Sequence, residues 1–93
     1  MTADSFAIDM FLIIDYITYQ LQNEKAADSF RESVREVVKS LETFPLRYAI
    51  FARDIRKVRV KNYNIYYSVD EQLRVVNILH ILYKGMDISN ICD

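Results

Sequence analysis

The sequence predicts an α+β domain in which an N-terminal helical hairpin packs on one face of a C-terminal antiparallel sheet of three or four strands. Apolar residues in the first half recur at helical spacing, whereas residues 55–82 are rich in Val, Ile and Tyr, which suit a half-buried sheet. Short gaps holding Asn, Asp or Gln separate the strands, which indicates antiparallel neighbours. The chain has 93 residues, a length typical of one domain, so residues 1–93 are predicted to fold as a single unit.

The first helix is predicted over residues 4–22. Its apolar residues at helical spacing are Phe6, Met10, Ile13, Ile17 and Leu21. Further apolar residues fill much of the other side, so this helix must be covered on more than one face. Asp9 and Asp15 leave the apolar run short of the ~20 residues that a membrane span needs. With no basic segment before it, a signal peptide is not expected either, and the sequence predicts no membrane contact.

The second helix is predicted over residues 25–42. One narrow apolar stripe contains Ala26, Ala27, Phe30, Val34, Val37, Val38 and Leu41. The charged residues lie off this stripe, as on a solvated helix face, and Pro45 ends the helix. Because only Asn23, Glu24 and Lys25 separate the two helices, they are expected to form an antiparallel hairpin.

Three strands are predicted over residues 55–60, 63–69 and 73–82, joined by turns at residues 61–62 and 70–72. Residues 47–51 fit either a short strand or an irregular segment.

The net charge of −1 is unevenly distributed along the chain. Residues 1–45 carry a net charge of −4, whereas residues 46–61 carry +5. This basic segment indicates a polyanion or an acidic partner. The single cysteine, Cys92, allows no disulfide framework and suits a reducing cytosol. The sequence thus predicts a cytoplasmic protein with no metal site and no cofactor.

A row of cations is predicted on the first long strand. Val58 and Val60 point to one face of the sheet, and Lys57, Arg59 and Lys61 point to the other. Same-face residues lie roughly 6.5–7 Å apart along a strand, a spacing comparable with that of phosphates in an extended nucleic acid. Tyr66 is expected on this open face as a stacking surface for a base. The alternative interpretation is a solvated strand whose charges resist aggregation.

These residues resemble the RelE/ParE superfamily of toxins from type II toxin–antitoxin systems. The matching positions are Arg56, Val58, Val60, Tyr63, Ile65, Tyr67, Val69, Asp70, Glu71, Ile78 and residues 82–88, with Asp9, Met10, Ile13, residues 15–17, Ala26 and Ala27 upstream. Members usually begin with a strand before the first helix. Only residues 1–3 precede the helix here, so that strand is expected to be missing or to lie upstream.

The resemblance implies a toxin that inhibits growth and is neutralised by a cognate antitoxin, which often covers the basic surface. The resemblance is compatible with three activities. One is ribosome-dependent cleavage of mRNA, another is non-enzymatic inhibition of DNA gyrase as in ParE-like toxins, and the third is an attenuated, truncated member that only binds the antitoxin. A homodimer or a heterotetramer with the antitoxin would be compatible with the apolar first helix.

If the protein cleaves mRNA, Lys57, Arg59 and Lys61, with Arg56, would bind phosphate. The candidates for proton transfer are Tyr83, His80 and Lys84. His80 also fits a partly buried structural histidine, and Tyr83 fits simple packing at the end of a strand. Two departures from the RNA-cleaving pattern are Asn64 and Met86, at positions where an arginine is common.

Overall fold

A computed structural model of the protein describes residues 1–86. Its elements are helices α1 (Asp4–Asp15) and α2 (Glu24–Thr43) and strands β1 (Ile50–Ala52), β2 (Ile55–Val60), β3 (Tyr63–Asp70) and β4 (Val75–Tyr83). The strands form one antiparallel sheet in the order β1-β2-β3-β4. The predicted α+β architecture is therefore confirmed. Asp87, Ile88 and Cys92, which entered the sequence interpretation, lie outside the described residues.

The helical hairpin is confirmed, but the first helix ends earlier than predicted. After Asp15 the backbone widens into a π-helical turn over Tyr16–Gln20, in which the Leu21 N–H donates to the Tyr16 carbonyl at 3.1 Å. Helix α2 starts after Asn23, whose side chain accepts a hydrogen bond from the Ala26 N–H at 3.0 Å. Asn23 thus lies in the turn between the helices and caps the N-terminus of α2. No helix within residues 1–86 is long and apolar enough to cross a membrane.

The hydrophobic core lies between the helices and one face of the sheet. Its buried members are Phe6, Ile17, Ala27, Phe30, Val34 and Leu41 from the helical part and Val58, Val60, Ile65, Tyr67, Ile78 and Ile81 from the sheet. Side chains alternate along a strand, so burying Val58 and Val60 leaves Lys57 and Arg59 on the opposite face. The predicted orientation of β2 is confirmed for these four residues.

The outer edge of β4 is closed by the N-terminal residues and α1. The backbone and side-chain groups that form hydrogen bonds with this edge belong to Met1, Ala3, Ser5 and Asp9. The expected gap before α1 is therefore partly filled, because Thr2 forms a single parallel bridge with Ile78. Pairing this edge matters because unpaired backbone groups on an edge strand favour aggregation.

A hydrogen bond from Tyr67 holds the segment after α2 to the core. Its fully buried hydroxyl donates to the Pro45 carbonyl at 2.9 Å. We expect Tyr67→Phe to lower the free energy of unfolding by about 1–2 kcal/mol, because the carbonyl loses its donor. Chemical denaturation would measure this loss. Tyr19→Phe is the control, since Tyr19 is exposed, and an equal change in both variants would contradict the prediction.

Candidate functional site

The open face of the sheet carries an exposed cationic pair, Lys57 and Arg59. In the β2–β3 register Lys57 lies opposite Tyr66 and Arg59 lies opposite Asn64. The Lys57 ammonium lies 4.8 Å from the centre of the Phe51 ring, a cation–π geometry. The Arg59 Nε donates to the Oδ1 of buried Asn64 at 3.0 Å. Both charges are therefore held by the sheet while remaining accessible to an anionic partner.

Lys61 does not extend this pair, so the prediction of a three-residue row is wrong. Strand β2 ends at Val60, and Lys61 adopts a left-handed backbone with φ of 54° in the following turn. The alternation of side chains stops there. The Lys61 ammonium instead donates to the Ser29 hydroxyl of α2 at 3.0 Å, on the helical side of the sheet.

Arg56 also lies apart from the cationic pair. It is opposite Tyr67, whose side chain is in the core. Its guanidinium donates to the Tyr48 carbonyl at 2.6 Å, which ties the segment before β1 to the sheet. This contact gives Arg56 a structural explanation, whereas its predicted phosphate-binding role gains no support from its position.

Tyr66 occupies the predicted face but is only 2% exposed. The Phe51 ring packs edge-on against it with 5.5 Å between ring centroids, and Leu82 and Ile55 complete a small apolar cluster. The expectation of an open stacking platform is therefore wrong. Tyr66 is buried because β1 places Phe51 across this face of the sheet. The sequence pattern fitted either a strand or an irregular segment for the residues of β1.

Tyr83 lies on the helical side of the sheet, at the end of β4. It pairs with Tyr63 in the β3–β4 register, and their rings meet edge-on with 5.4 Å between centroids. An open groove of about 330 Å³ between α1 and the sheet is lined by both tyrosines together with Leu12, Tyr16 and Met86, among others. Burial raises the pKa of the Tyr63 hydroxyl, with smaller contributions from Tyr83 and Tyr16, which makes Tyr63 a weaker acid.

His80 is a partly buried histidine with a carboxylate partner. Its Nδ1 lies 3.0 Å from Asp9 Oδ2, and the same oxygen accepts the Ile81 N–H at 3.1 Å. A β-bulge precedes this contact, because Tyr66 pairs with His80 and Tyr67 with Ile78, leaving Leu79 as the extra residue. The structural interpretation of His80 is supported. Asp9, which the site prediction missed, is 71 residues away in sequence.

Lys84 is exposed directly after β4. Its backbone N–H donates to the Asn62 carbonyl at 2.8 Å, which fixes the backbone beside the β2–β3 turn. Within residues 1–86 the predicted site thus divides into separate groups. Lys57 and Arg59 share the open face, Tyr83 and His80 are engaged with Tyr63 and Asp9, and Arg56 and Lys61 bind other parts of the chain.

One family model matches the chain, and its description is the ParE toxin of type II toxin–antitoxin system, parDE. The match covers residues 3–88, which is nearly the whole sequence. No curated protein matches the chain. The matched span contains both helices and all four strands described above. The chain therefore belongs to the ParE toxin family of type II toxin–antitoxin systems.

Proposed function

We propose that the protein is a growth inhibitor that acts by binding DNA gyrase and does not cleave RNA. Membership of the family makes it a type II toxin and implies an antitoxin partner. Gyrase is the target that the resemblance to ParE-like toxins implies. The proposal selects this activity over ribosome-dependent mRNA cleavage and over a member that only binds its antitoxin.

The separation of Tyr83 from the cationic pair carries this proposal. Cleaving RNA at a ribose 2′-hydroxyl requires a base, cations and an acid around one phosphate. Lys57 and Arg59 lie on the open face, whereas Tyr83 packs on Tyr63 at the helical side of the sheet. An inhibitor that only binds its target needs no such convergence. It needs a rigid surface of suitable charge and shape.

The open face has the composition of a binding surface. Lys57 and Arg59 supply positive charge, and the partly exposed Phe51 supplies an aromatic anchor beside them. Aromatic residues, including Phe, and arginine are enriched at protein interfaces relative to the rest of the surface. The contacts to Asn64 and Tyr66 hold these groups in place before binding, which reduces the entropy lost on association.

Assays with purified gyrase and with translating ribosomes would distinguish gyrase inhibition from mRNA cleavage. We expect the protein to reduce DNA supercoiling by gyrase and to leave mRNA in translating ribosomes intact. Tyr83→Phe keeps the packing on Tyr63 and removes the hydroxyl, so this variant should inhibit gyrase as strongly as the unmodified protein. Codon-phased mRNA cuts that disappear in Tyr83→Phe would overturn the proposal in favour of cleavage.

A further inference from the structure

Lys57 and Arg59 keep their positive charges unneutralised on the open face of the sheet. Within residues 1–86 neither side chain forms a salt bridge. The residues that lie across β3 and β4 from this pair carry no carboxylate, and they are Asn64, Tyr66, His80 and Leu82. The carboxylate of Asp9, at the far edge of the sheet, is engaged with His80. The open face therefore offers two positive charges to an anionic partner.

The spacing of the cationic pair suits an anion whose charges repeat along a line. Strand β2 pairs with β3 in regular register from Ile55 to Val60, so Lys57 and Arg59 lie roughly 6.5–7 Å apart along the strand. The Phe51 ring and the Asn64 side chain hold the two charged groups in place. Successive phosphates of a nucleic acid strand have a comparable spacing, and Lys and Arg are their usual partners.

The burial of Tyr66 favours a double-stranded nucleic acid over a single strand. Proteins that bind single strands combine positive charge with aromatic side chains on which bases stack. Tyr66 is only 2% exposed and packs against Phe51, while the Lys57 ammonium lies 4.8 Å from the centre of the Phe51 ring. These aromatic rings are therefore engaged within the protein. A duplex keeps its bases stacked inside and presents phosphates to such a surface.

The uneven charge of the chain directs a polyanion to the open face but keeps the contact weak. Residues 1–45, which include the helical layer, carry a net charge of −4, and residues 46–61, which include β1 and β2, carry +5. The helical layer therefore repels phosphate and the open face attracts it. Two cations make far fewer contacts than the about 6–10 phosphate contacts of a protein that binds DNA strongly by itself. Stable contact thus requires DNA that another protein already holds.

Taking gyrase binding as the proposed function, we propose that the open face contacts the phosphate backbone of the DNA duplex that gyrase holds. Lys57 and Arg59 bind phosphates, and the adjoining β1 edge, whose three residues are exposed, contacts the gyrase protein. Linking a weak contact to a second one makes it an intramolecular event, which raises overall affinity by about 10²–10⁴-fold. The protein is thereby directed to the gyrase molecules that are engaged on DNA.

The affinity of the full chain for purified gyrase, with and without a bound DNA duplex, tests this proposal. We expect the unmodified protein to bind the gyrase–DNA complex at least about a hundredfold more tightly than gyrase alone. Lys57→Ala with Arg59→Gln should lose this preference, because the charges are removed while an amide donor remains for Asn64. The matched control is Arg31→Ala with Arg35→Ala on α2, which should retain the preference.

A second measurement uses DNA in the absence of gyrase. Amide chemical shifts report weak binding residue by residue, so a short duplex should shift Lys57, Arg59 and Asn64 and leave Arg31 and Arg35 on α2 unchanged. A duplex of the same sequence whose methylphosphonate linkages remove the backbone charge should cause no shifts. For two phosphate contacts, the logarithm of the affinity should fall with the logarithm of the salt concentration with a slope of about −1.8.

Equal affinity for gyrase with and without DNA would refute the proposal and assign the open face to the gyrase protein alone. A preference for the gyrase–DNA complex that survives Lys57→Ala with Arg59→Gln would refute it as well. The same holds for an absence of shifts at the open face, equal shifts with the uncharged duplex, or larger shifts with a single strand of the same sequence. If the unmodified protein neither binds nor inhibits gyrase, the proposed target fails, while the titration still decides whether the open face binds duplex phosphates.

Discussion

Replacing both Lys57 and Arg59 with alanine is expected to abolish growth inhibition. Both side chains are exposed on the open face. Truncating a charge that is buried in an interface costs about 2–5 kcal/mol, so the pair should lower target affinity by roughly 10³-fold or more. Colony counts after induced expression would measure the effect in cells, and gyrase supercoiling would measure it with purified components.

Two controls separate the loss of binding from the loss of folding. Arg31→Ala with Arg35→Ala removes the same charge from exposed positions on α2 and should leave growth inhibition unchanged. Arg59→Ala also deprives the buried Asn64 side chain of a donor, so Lys57→Ala with Arg59→Gln provides an amide donor without the charge. A double alanine variant that melts normally and still arrests growth would exclude this face as the target surface.

The sequence predicted the helical hairpin, the strands and the buried face of β2 because each follows from a local pattern. Alternation places Val58 and Val60 in the core and Lys57 and Arg59 outside it. The same rule failed at Lys61, where a single left-handed residue ends the alternation. The strand was predicted to end at residue 60, as observed, but the alternation was extended into the following turn, so the predicted row was one residue too long.

The remaining errors came from contacts between segments distant in sequence. Tyr66 sits on the open face as predicted, but Phe51 from β1 packs against it. The bulge at Leu79 and the carboxylate of Asp9 together determine the environment of His80. A local pattern carries no information about which side chain will arrive from another element. For that reason the faces were predictable, whereas the assembly of a site from several elements was not.

Asp9→Ala is expected to destabilise the fold more than Tyr67→Phe does. The Asp9 side chain is only 19% exposed, and one of its oxygens lies 3.0 Å from His80 Nδ1. The same oxygen accepts the Ile81 N–H at 3.1 Å, so it joins α1 to the outer edge of β4. Leaving a buried donor unsatisfied costs about 1–3 kcal/mol, so the variant should lose roughly 2–4 kcal/mol. A domain of this size shifts its Tm by about 4–8 °C per kcal/mol, and a melt would resolve the change.

Asp9→Asn and Asp15→Ala are the matched comparisons. The asparagine oxygen can still accept from the Ile81 N–H, so Asp9→Asn should lose less than half as much stability as Asp9→Ala. Asp15 is exposed on the same helix, and its truncation should change stability by no more than about 0.5 kcal/mol. Amide exchange at Ile81 should accelerate in Asp9→Ala, because this N–H loses its acceptor at the edge of the sheet. If Asp9→Ala instead melts at the same temperature as Asp15→Ala, α1 is held to β4 by apolar packing and the carboxylate contributes little.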